Sequence, residues 1–222
     1  MRDNPIHTFL QFMVGRIPDQ LALGDLRWFT VGLYWAMLLA GFAIAAVNWQ
    51  RDPTQRTGTH LTIFGLRFVI AGMWYLGTFW KLPLPVSAGF RFWLDQTVKY
   101  SSFQWHADIM KVFIDYIIVA QPLVYLLEIF LTASLMLGFM VRVSGILAAL
   151  FTFNLLIGLY NDGTEWPWTY VGIICAHGMF AAAQAGRSLG LDNLIAKGLI
   201  PIVIPRDDRA VARVFRWAVS AA

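Results

Sequence analysis

The chain has few of the residues that bind metal cofactors. It contains one cysteine, Cys175, among 222 residues. A disulfide-relay enzyme needs a Cys-x-x-Cys pair, and iron–sulfur clusters and thiolate zinc sites need several cysteines, so this chain supplies none of the three by itself. Of its four histidines, His177 alone lies in the middle of an apolar stretch. A bis-histidine haem needs two imidazoles at matching depth on facing helices, so we expect no haem site either.

Charge is scarce as well. Charged residues make up 14% of the chain, against about 25% in a typical soluble protein. The sequence contains no Walker lysine motif, no nucleophile elbow and no glycine-rich dinucleotide fingerprint. Hydrophobic residues instead reach 58% and aromatic residues 15%. This composition predicts an integral membrane protein.

Five stretches are long and apolar enough to cross a membrane as helices, because a span needs about 20 apolar residues to cross about 30 Å of hydrocarbon. They are residues 28–49, 62–80, 116–137, 143–160 and 166–186. Tryptophan favours the headgroup level of a membrane. The tryptophans at predicted span ends are Trp28, Trp49, Trp80, Trp166 and Trp168. We therefore predict an all-α, polytopic membrane helix bundle.

Basic residues predict the orientation of the bundle. The last inter-helix loop, residues 161–165, has acids and no bases, whereas the tail, residues 193–222, is basic and amphipathic. Because Lys and Arg favour the cytoplasmic side, we expect a cytoplasmic C-terminus, with the N-terminus and loop 81–115 outside. The first span, which follows no cleavage site, is expected to act as its own insertion signal. The pI near 9.4 suits contact with anionic lipid, and no nucleic-acid-binding module is recognisable.

Two segments outside the spans have the pattern of interfacial helices. Residues 1–27 form the first, and within it residues 5–24 mix apolar side chains with polar ones. The outer loop, residues 81–115, has aromatic and aliphatic residues at near-helical spacing. We predict a surface helix in the first segment and one or two interfacial helices in the second. The outer helices either cover the end of the bundle or form a docking or substrate-capping surface.

Arg67 and Glu128 are isolated charges inside predicted spans. Because burial of a charge in hydrocarbon is costly, such residues usually face a bundle interior. We predict that both lie in the inner half of the bilayer and pair there, and that Arg142 at the start of the fourth span joins them. The cluster is either a structural ion pair that locks helices together, or a site for an anionic or quinone-like headgroup or a proton relay.

Other polar residues in the spans have similar alternatives. Pro122 is expected to bend the third span, and Gln121, Asn154 and Gln184 are expected to make hydrogen bonds between helices or to the groups that Pro122 frees. His177 is interpreted either as a satisfied interior histidine, or as a residue that ligates a chlorin or hydrogen-bonds a quinone carbonyl.

Several motifs together resemble one membrane family. Residues 66–82, LRFVIAGMWYLGTFWKL, contain an arginine, spaced glycines and a closing lysine. Glu128 follows in the next span, Gly138 and Arg142 lie at a tight turn, and residues 186–192 are GRSLGLD. Over about residues 61–192 the chain resembles the DoxX/DoxD family. The resemblance implies a four-helix core with a cytoplasmic C-terminus, to which the span at residues 28–49 is an addition.

The resemblance also implies a function. The family includes subunits of thiosulfate:quinone oxidoreductase, so we expect a membrane subunit of a quinone-linked electron-transfer complex in a bacterial or archaeal cytoplasmic membrane. Quinone is the expected cofactor, and membrane lipids and other subunits of the complex are the expected partners. The residues expected to line the site are Arg67, Glu128, Arg142, Trp74, Trp80, Lys81 and His177.

Two other hypotheses belong to different classes. The first is a non-catalytic accessory subunit of a large respiratory or photosynthetic complex. Its surface helices, aromatic residues and first span would be docking faces for other subunits, lipid or pigment. The second is a carrier of small molecules or sulfur species along a bent third span. The sequence assigns no catalytic residue under any of the three hypotheses.

Overall fold

The computed structural model of the chain describes residues 4–200 and 209–219, and this part of the chain is helical, with no β-strand. The helices are α1 Pro5–Met13, α2 Pro18–Leu21, α3 Leu26–Arg51, α4 Gly58–Leu76, α5 Ala88–Tyr100, α6 Gln104–Asp115, α7 Ile117–Leu137, α8 Val141–Leu159, α9 Pro167–Ala182, α10 Leu191–Ala196 and α11 Arg209–Ala218. Residues 1–3 of the predicted N-terminal segment and residues 201–208 and 220–222 of the predicted tail lie outside the described residues.

Four helices are long and apolar enough to cross a membrane: Leu26–Arg51, Gly58–Lys81, Ile117–Leu137 and Val141–Leu159. They confirm four of the five predicted spans, and the chain is a helical membrane protein. The fifth predicted span, residues 166–186, contains α9, which has only 16 residues. At 1.5 Å per residue α9 is about 24 Å long, which is less than the roughly 30 Å of a bilayer core. The prediction of a full-length fifth span was therefore too long.

Helices α4, α7, α8 and α9 pack together, and α3 lies against α7. The contact between α3 and its neighbours is close because Gly41 has no side chain. A Cβ there would lie 2.6 Å from the Phe68 ring and 2.7 Å from the Met136 carbonyl oxygen. Helix α3 is therefore built into the bundle rather than attached to its surface. The central buried residues include Ala71, Leu131 and Leu135.

Helices α5 and α6 cover one end of the bundle, which we call the capped end. They confirm the prediction of one or two helices in the outer loop. Phe90, Leu94, Met110 and Ala120 form a second buried cluster there. Gly158 of α8 lets both helices approach, because a Cβ at this position would lie 3.1 Å from both Thr97 and His106.

The predicted N-terminal surface helix is present as α1. Its Asn4 side chain accepts a hydrogen bond from the backbone N–H of Ile6 at 2.9 Å, which satisfies a helix-end donor. Phe12 is buried with its ring centroid 4.8 Å from that of Tyr34, whereas Phe9 and Leu10 are exposed. Helix α1 is thus anchored to the bundle by one face, and its opposite apolar face suits an interfacial position.

Candidate functional site

The strongest candidate site begins with a buried ion pair at the capped end. Lys81 Nζ lies 2.6 Å from Glu128 Oε2, and the two side chains are 0% and 5% exposed. The ammonium also donates to the carbonyl oxygen of Gly77 at 2.7 Å. It lies 3.3 Å from the centroid of the Trp80 ring, a cation–π contact. A buried charge persists only when it is paired and hydrogen-bonded, and Lys81 meets both conditions.

The end of α4 explains how Lys81 reaches Glu128. Helix α4 ends at Leu76, and the 3₁₀ turn Phe79–Lys81 brings the lysine side chain back over Gly77. Glu128 lies beside the same glycine, since a Cβ at Gly77 would be 3.5 Å from Glu128 Oε2. The turn and the glycine together place the ammonium and the carboxylate on one wall.

A glutamine of α7 fixes the segment that follows Lys81. Gln121 Nε2 donates to the Lys81 carbonyl oxygen at 2.7 Å, and Gln121 Oε1 accepts from the backbone N–H of Ser87 at 2.9 Å. Helix α7 continues through Pro122. The suggestion that Gln121 compensates the backbone groups freed by Pro122 is therefore wrong, because its amide is committed to the segment between α4 and α5.

The ion pair opens onto a cavity of about 430 Å³ between the 3₁₀ turn Phe79–Lys81 and helices α5, α6, α7 and α8. This volume lies within the range of about 300–1,000 Å³ typical of ligand pockets. The polar residues of its wall are Lys81, Thr97, Glu128 and Asn154. The aromatic residues of its wall are Trp80, Phe90, Trp93, Phe113 and Phe151. A few polar groups in an apolar, aromatic wall is the usual composition of a site for a lipophilic ligand.

Three aromatic rings form a continuous surface in this cavity. Trp80 and Phe90 stack with centroids 6.1 Å apart and an interplanar angle of 18°. Trp93 lies next to Trp80 with a centroid distance of 6.1 Å and an angle of 50°. Such a surface favours the binding of a flat ring, because offset stacking of aromatic rings contributes binding free energy beyond that of the buried area.

Asn154 provides the polar group on the α8 side of the cavity. Its Oδ1 lies 3.0 Å from Nε2 of His106, and Nδ1 of the same histidine lies 2.9 Å from the Ser101 hydroxyl. An amide oxygen accepts only, so His106 Nε2 donates to Asn154 Oδ1. The bond between α6 and α8 confirms the predicted helix-to-helix role of Asn154. With Oδ1 occupied, the Nδ2 group of Asn154 is the part of this amide left to donate to a ligand.

The predicted cluster of Arg67, Glu128 and Arg142 does not form. Glu128 pairs with Lys81 at the capped end, whereas Arg67 lies beside Gly138, where a Cβ would overlap Nη1. The reason is the register of the antiparallel helices α4 and α7. Arg67 precedes Gly77 by ten residues, about 15 Å along the helix. The first turns of α4 extend past the end of α7, so equal residue counts from the helix ends do not give equal depths.

Arg67 instead stabilises the opposite end of the bundle, which we call the latched end. Its side chain is 0% exposed, and Nη2 donates to the Ser188 carbonyl oxygen at 2.8 Å. Asn48 Nδ2 donates to the Gly190 carbonyl oxygen at 3.0 Å in the same segment. We call residues 186–193 the latch, because they join α3 and α4 to the turn between α7 and α8.

Asp192 completes the latch by capping α8. Its Oδ1 accepts from the backbone N–H of Met140 at 2.8 Å, and its Oδ2 accepts from that of Val141 at 3.3 Å. Burial raises the pKa of Asp192 to about 6, although these hydrogen bonds and the charge of Arg67 act in the opposite direction. These hydrogen bonds give the latch a structural role, because they hold the ends of the helices together. Arg67 belongs to the latch rather than to the cavity.

Arg142, the third member of the predicted cluster, lies on the surface of α8. Nη1 donates to the Trp217 carbonyl oxygen of α11 at 3.1 Å, and Cζ is 5.4 Å from the centroid of the Trp217 ring. Arg142 and the ion pair are on opposite ends of the bundle, so no single pocket contains both.

His177 and Trp74 contact each other in the core. Trp74 Nε1 donates to His177 Nε2 at 2.8 Å, and the imidazole is 0% exposed. Neither residue lines the cavity, although Phe151 connects them to it through a centroid distance of 5.7 Å to Trp74. His177 is thus an interior histidine, but it is only partly satisfied, because its buried Nδ1 has no hydrogen-bond partner among the described residues. Of the seven residues expected to line a cofactor site, the cavity contains Trp80, Lys81 and Glu128.

Sequence reasoning did not assign the cavity residues of α5, although a signal was present. Phe90, Trp93, Leu94 and Thr97 follow the spacing i, i+3, i+4, i+7, which marks one face of a helix. All four line the cavity. The outer helices cover the end of the bundle, which is one of the two alternatives that the sequence leaves open, and the sequence does not connect their inward face to Lys81.

Searches of family models, curated proteins and solved structures find no match to this chain. The site is therefore interpreted from its own geometry.

Proposed function

We propose that the chain is a membrane subunit of a quinone-linked electron-transfer complex and that it binds a quinone headgroup in the cavity at the capped end. One observation carries the proposal. The buried Lys81–Glu128 pair faces an aromatic cavity of about 430 Å³ rather than a packed interior. A purely structural ion pair does not require such a space.

The chemistry of a quinone matches the groups in this wall. A quinone is a flat ring with two carbonyl oxygens, so it needs hydrogen-bond donors at its edges and apolar surface on its faces. Lys81 has three N–H groups, of which Gly77 and Glu128 engage two. In this proposal one quinone carbonyl takes the third N–H in place of the cation–π contact with Trp80, Asn154 Nδ2 donates to the other carbonyl, and the ring lies against the surface of Trp80, Phe90 and Trp93.

Reduction of a quinone to a quinol consumes two electrons and two protons. In this proposal the electrons come from a redox centre in a partner subunit, because the sequence offers no cysteine or histidine set for one, and the two protons come from solvent. The Lys81 ammonium lies at the cavity wall, where it is positioned to stabilise the negative charge that develops on a quinone oxygen, and Glu128 holds the ammonium in place. The chain's own role is to bind and orient the ring.

The resemblance to the DoxX/DoxD family supports the same function. In this proposal α4, α7, α8 and α9 are the family's four-helix core, and α3 is the additional helix. The chain lies in a bacterial or archaeal cytoplasmic membrane. The basic tail and the latched end face the cytoplasm, and the capped end faces outward.

A non-catalytic accessory subunit is the second candidate function, and one observation favours it. The outer surface of α5 and α6 exposes several aromatic residues, including Phe92, Phe103 and Trp105. Exposed aromatic residues at the rim of a membrane protein suit either the lipid interface or a neighbouring subunit.

A binding experiment tests the proposal. The full-length protein in detergent is titrated with a short-chain quinone, and the dissociation constant is compared with that of the double variant Lys81→Met/Glu128→Leu. The matched control is Arg91→Gln/Asp95→Asn, which removes an ion pair of 3.1 Å that is exposed on α5. We expect at least about tenfold weaker binding in the cavity variant and unchanged binding in the control.

The outcomes separate the two candidate functions. Equal quinone affinity in the wild type and the cavity variant would contradict the proposed site. Absence of quinone binding in the wild type, together with co-purification of a redox complex whose electron transfer survives the double substitution, would favour the accessory role.

A further inference from the structure

A second groove lies on the membrane-facing surface near the latched end. Its volume is about 450 Å³, and it runs between α8 and α9 beneath α11. The walls are Ile146, Ala149 and Leu150 of α8 and Gly178, Ala181 and Ala182 of α9. Arg142 and Trp217 form the end of the groove.

Small residues create the groove and leave it open to lipid. At Gly145 the two helices are in close contact, because a Cβ there would lie 2.9 Å from the His177 carbonyl oxygen. A Cβ at Gly178, in contrast, would meet no atom within 4 Å. Leu150 is exposed on the outer rim. The result is an open apolar channel lined by small and aliphatic side chains.

Positive charge is concentrated at the end of this channel. Arg142 uses one of its five N–H groups to hold the Trp217 carbonyl oxygen. Helix α11 adds the exposed residues Arg213 and Arg216. Arg213 precedes Trp217 by four residues, so both lie on one face of α11. Helices α8, α9 and α11 contain no acidic residue, so these three elements do not neutralise the guanidinium charge.

We propose that this groove binds one anionic phospholipid. An acyl chain fills the channel between α8 and α9, and the headgroup phosphate contacts Arg142 and Arg213. Charge complementarity selects this occupant, because Arg142 lies where the apolar channel ends, and Arg213 lies on the Trp217 face of the basic helix α11 that meets the channel there. A zwitterionic lipid makes the contact with the channel but only a weak headgroup contact with the arginines. Free phosphate contacts the arginines but cannot fill the channel.

Lipid titration of the delipidated full-length protein in neutral detergent, followed by native mass spectrometry, tests this proposal. The probes are dioleoyl phosphatidylglycerol, dioleoyl phosphatidylcholine and inorganic phosphate. Arg142→Gln removes the cation, and Gly178→Leu fills the channel at a position with free space. The matched controls are Arg91→Gln at the capped end and Gly172→Leu, another α9 glycine whose Cβ would meet no atom within 4 Å.

We expect phosphatidylglycerol to bind more tightly than phosphatidylcholine, and Arg142→Gln to weaken phosphatidylglycerol binding about fivefold, the contribution of one basic residue. Gly178→Leu should weaken binding of both lipids, and neither control should change either affinity. Equal affinities for the two lipids would overturn the proposal. So would unchanged binding in Arg142→Gln or Gly178→Leu, or displacement of the lipid by inorganic phosphate.

The quinone titration is an internal check on these variants. Because the groove and the cavity at the capped end share only Leu150, Arg142→Gln and Gly178→Leu should retain wild-type quinone affinity. Loss of quinone binding in either variant would indicate misfolding, and Arg142→Lys then tests the site with the charge retained. This conservative variant should keep the preference for phosphatidylglycerol. Loss of that preference in an Arg142→Lys protein that binds quinone would also overturn the proposal.

Discussion

Gln121 holds Lys81 by its backbone rather than by its side chain, with a distance of 2.7 Å between Gln121 Nε2 and the Lys81 carbonyl oxygen. The same glutamine accepts a hydrogen bond from Ser87, so one buried amide fixes both ends of residues 81–87, the part of the connection to α5 that follows Lys81. The ion pair at the cavity therefore depends on a residue that carries no charge.

Replacement of Gln121 by Leu tests this dependence. The substitution leaves the buried N–H of Ser87 without its acceptor, so we expect a loss of about 1–3 kcal/mol in the free energy of unfolding. Quinone affinity should fall as well, because Lys81 loses its backbone support. Thermal unfolding in detergent and quinone titration measure the two effects. Gln104→Leu is the control, since Gln104 bonds only to Asp108 on the exposed surface of α6; an equal loss there would contradict the assigned role.

The ion pair itself should show strong coupling between its two residues. Lys81→Met or Glu128→Leu alone leaves an unpaired buried charge, and each should reduce the free energy of unfolding by about 3–5 kcal/mol. The double variant should be close to the wild type in stability, because apolar side chains replace both charges. A double-mutant cycle by denaturant unfolding in micelles measures this coupling. Additive losses in the double variant would show that the two side chains do not interact.

Gly138 should tolerate alanine much less well than Gly24. Both have positive φ, +66° at Gly138 and +57° at Gly24, so alanine costs about 1 kcal/mol of backbone strain at each. At Gly138 the added Cβ would also overlap the Arg67 guanidinium and lie 2.5 Å from the Cα of Gly190, whereas at Gly24 it would meet no atom within 4 Å. The difference in thermal unfolding midpoint between the two variants measures the contact of the turn with Arg67 and the latch. Equal midpoints would contradict this contact.

Asp192 should make the stability of the latch depend on pH. Burial raises its pKa in the folded protein to about 6, above the ordinary value of 3.8 for an exposed aspartate. The folded state therefore binds the proton more tightly, and the stabilisation from protonated Asp192 is complete below about pH 4 and lost as the pH rises to about 6. The change is about 3 kcal/mol at 1.36 kcal/mol per pKa unit.

Asp192→Asn provides the measurement for this prediction. The free energy of unfolding of the wild type, relative to that of this variant, should fall as the pH rises from about 4 to about 6. It should be constant above about pH 7. A difference that does not vary with pH would mean that Asp192 titrates in the folded protein as it does in water.

The sequence predicts the helical bundle well because length and scarcity of charge are local properties. The four confirmed spans follow from runs of about 20 positions that contain at most one charged residue each. The helices of the outer loop follow from apolar spacing in the same way. The length of α9 is harder to predict from the sequence, because the apolar stretch continues past Ala182 although the helix ends there.

The partner of Glu128 was not predictable from the same information. Three cations, Arg67, Lys81 and Arg142, lay within plausible reach, and the choice among them depends on how far α4 is displaced along α7. Packing at Gly77 and Gly138 fixes that displacement. Gly77 lies beside Glu128 and Gly138 lies beside Arg67, so the two contacts are about ten residues apart along each helix. A side-chain pattern along one helix contains no information about its axial position against another.

The latch also sets an order of events during synthesis of the chain. The acceptor for Arg67 is Ser188, 121 residues further along the chain, and Asn48 precedes its partner Asn193 by 145 residues. Until those last residues leave the ribosome, a guanidinium in α4 and an amide in α3 lack their final partners. The latched end of the bundle is thus closed by the segment made after its membrane-crossing helices, and in a chain that stops before residue 188 the Arg67 guanidinium lacks the carbonyl oxygen that accepts its hydrogen bond.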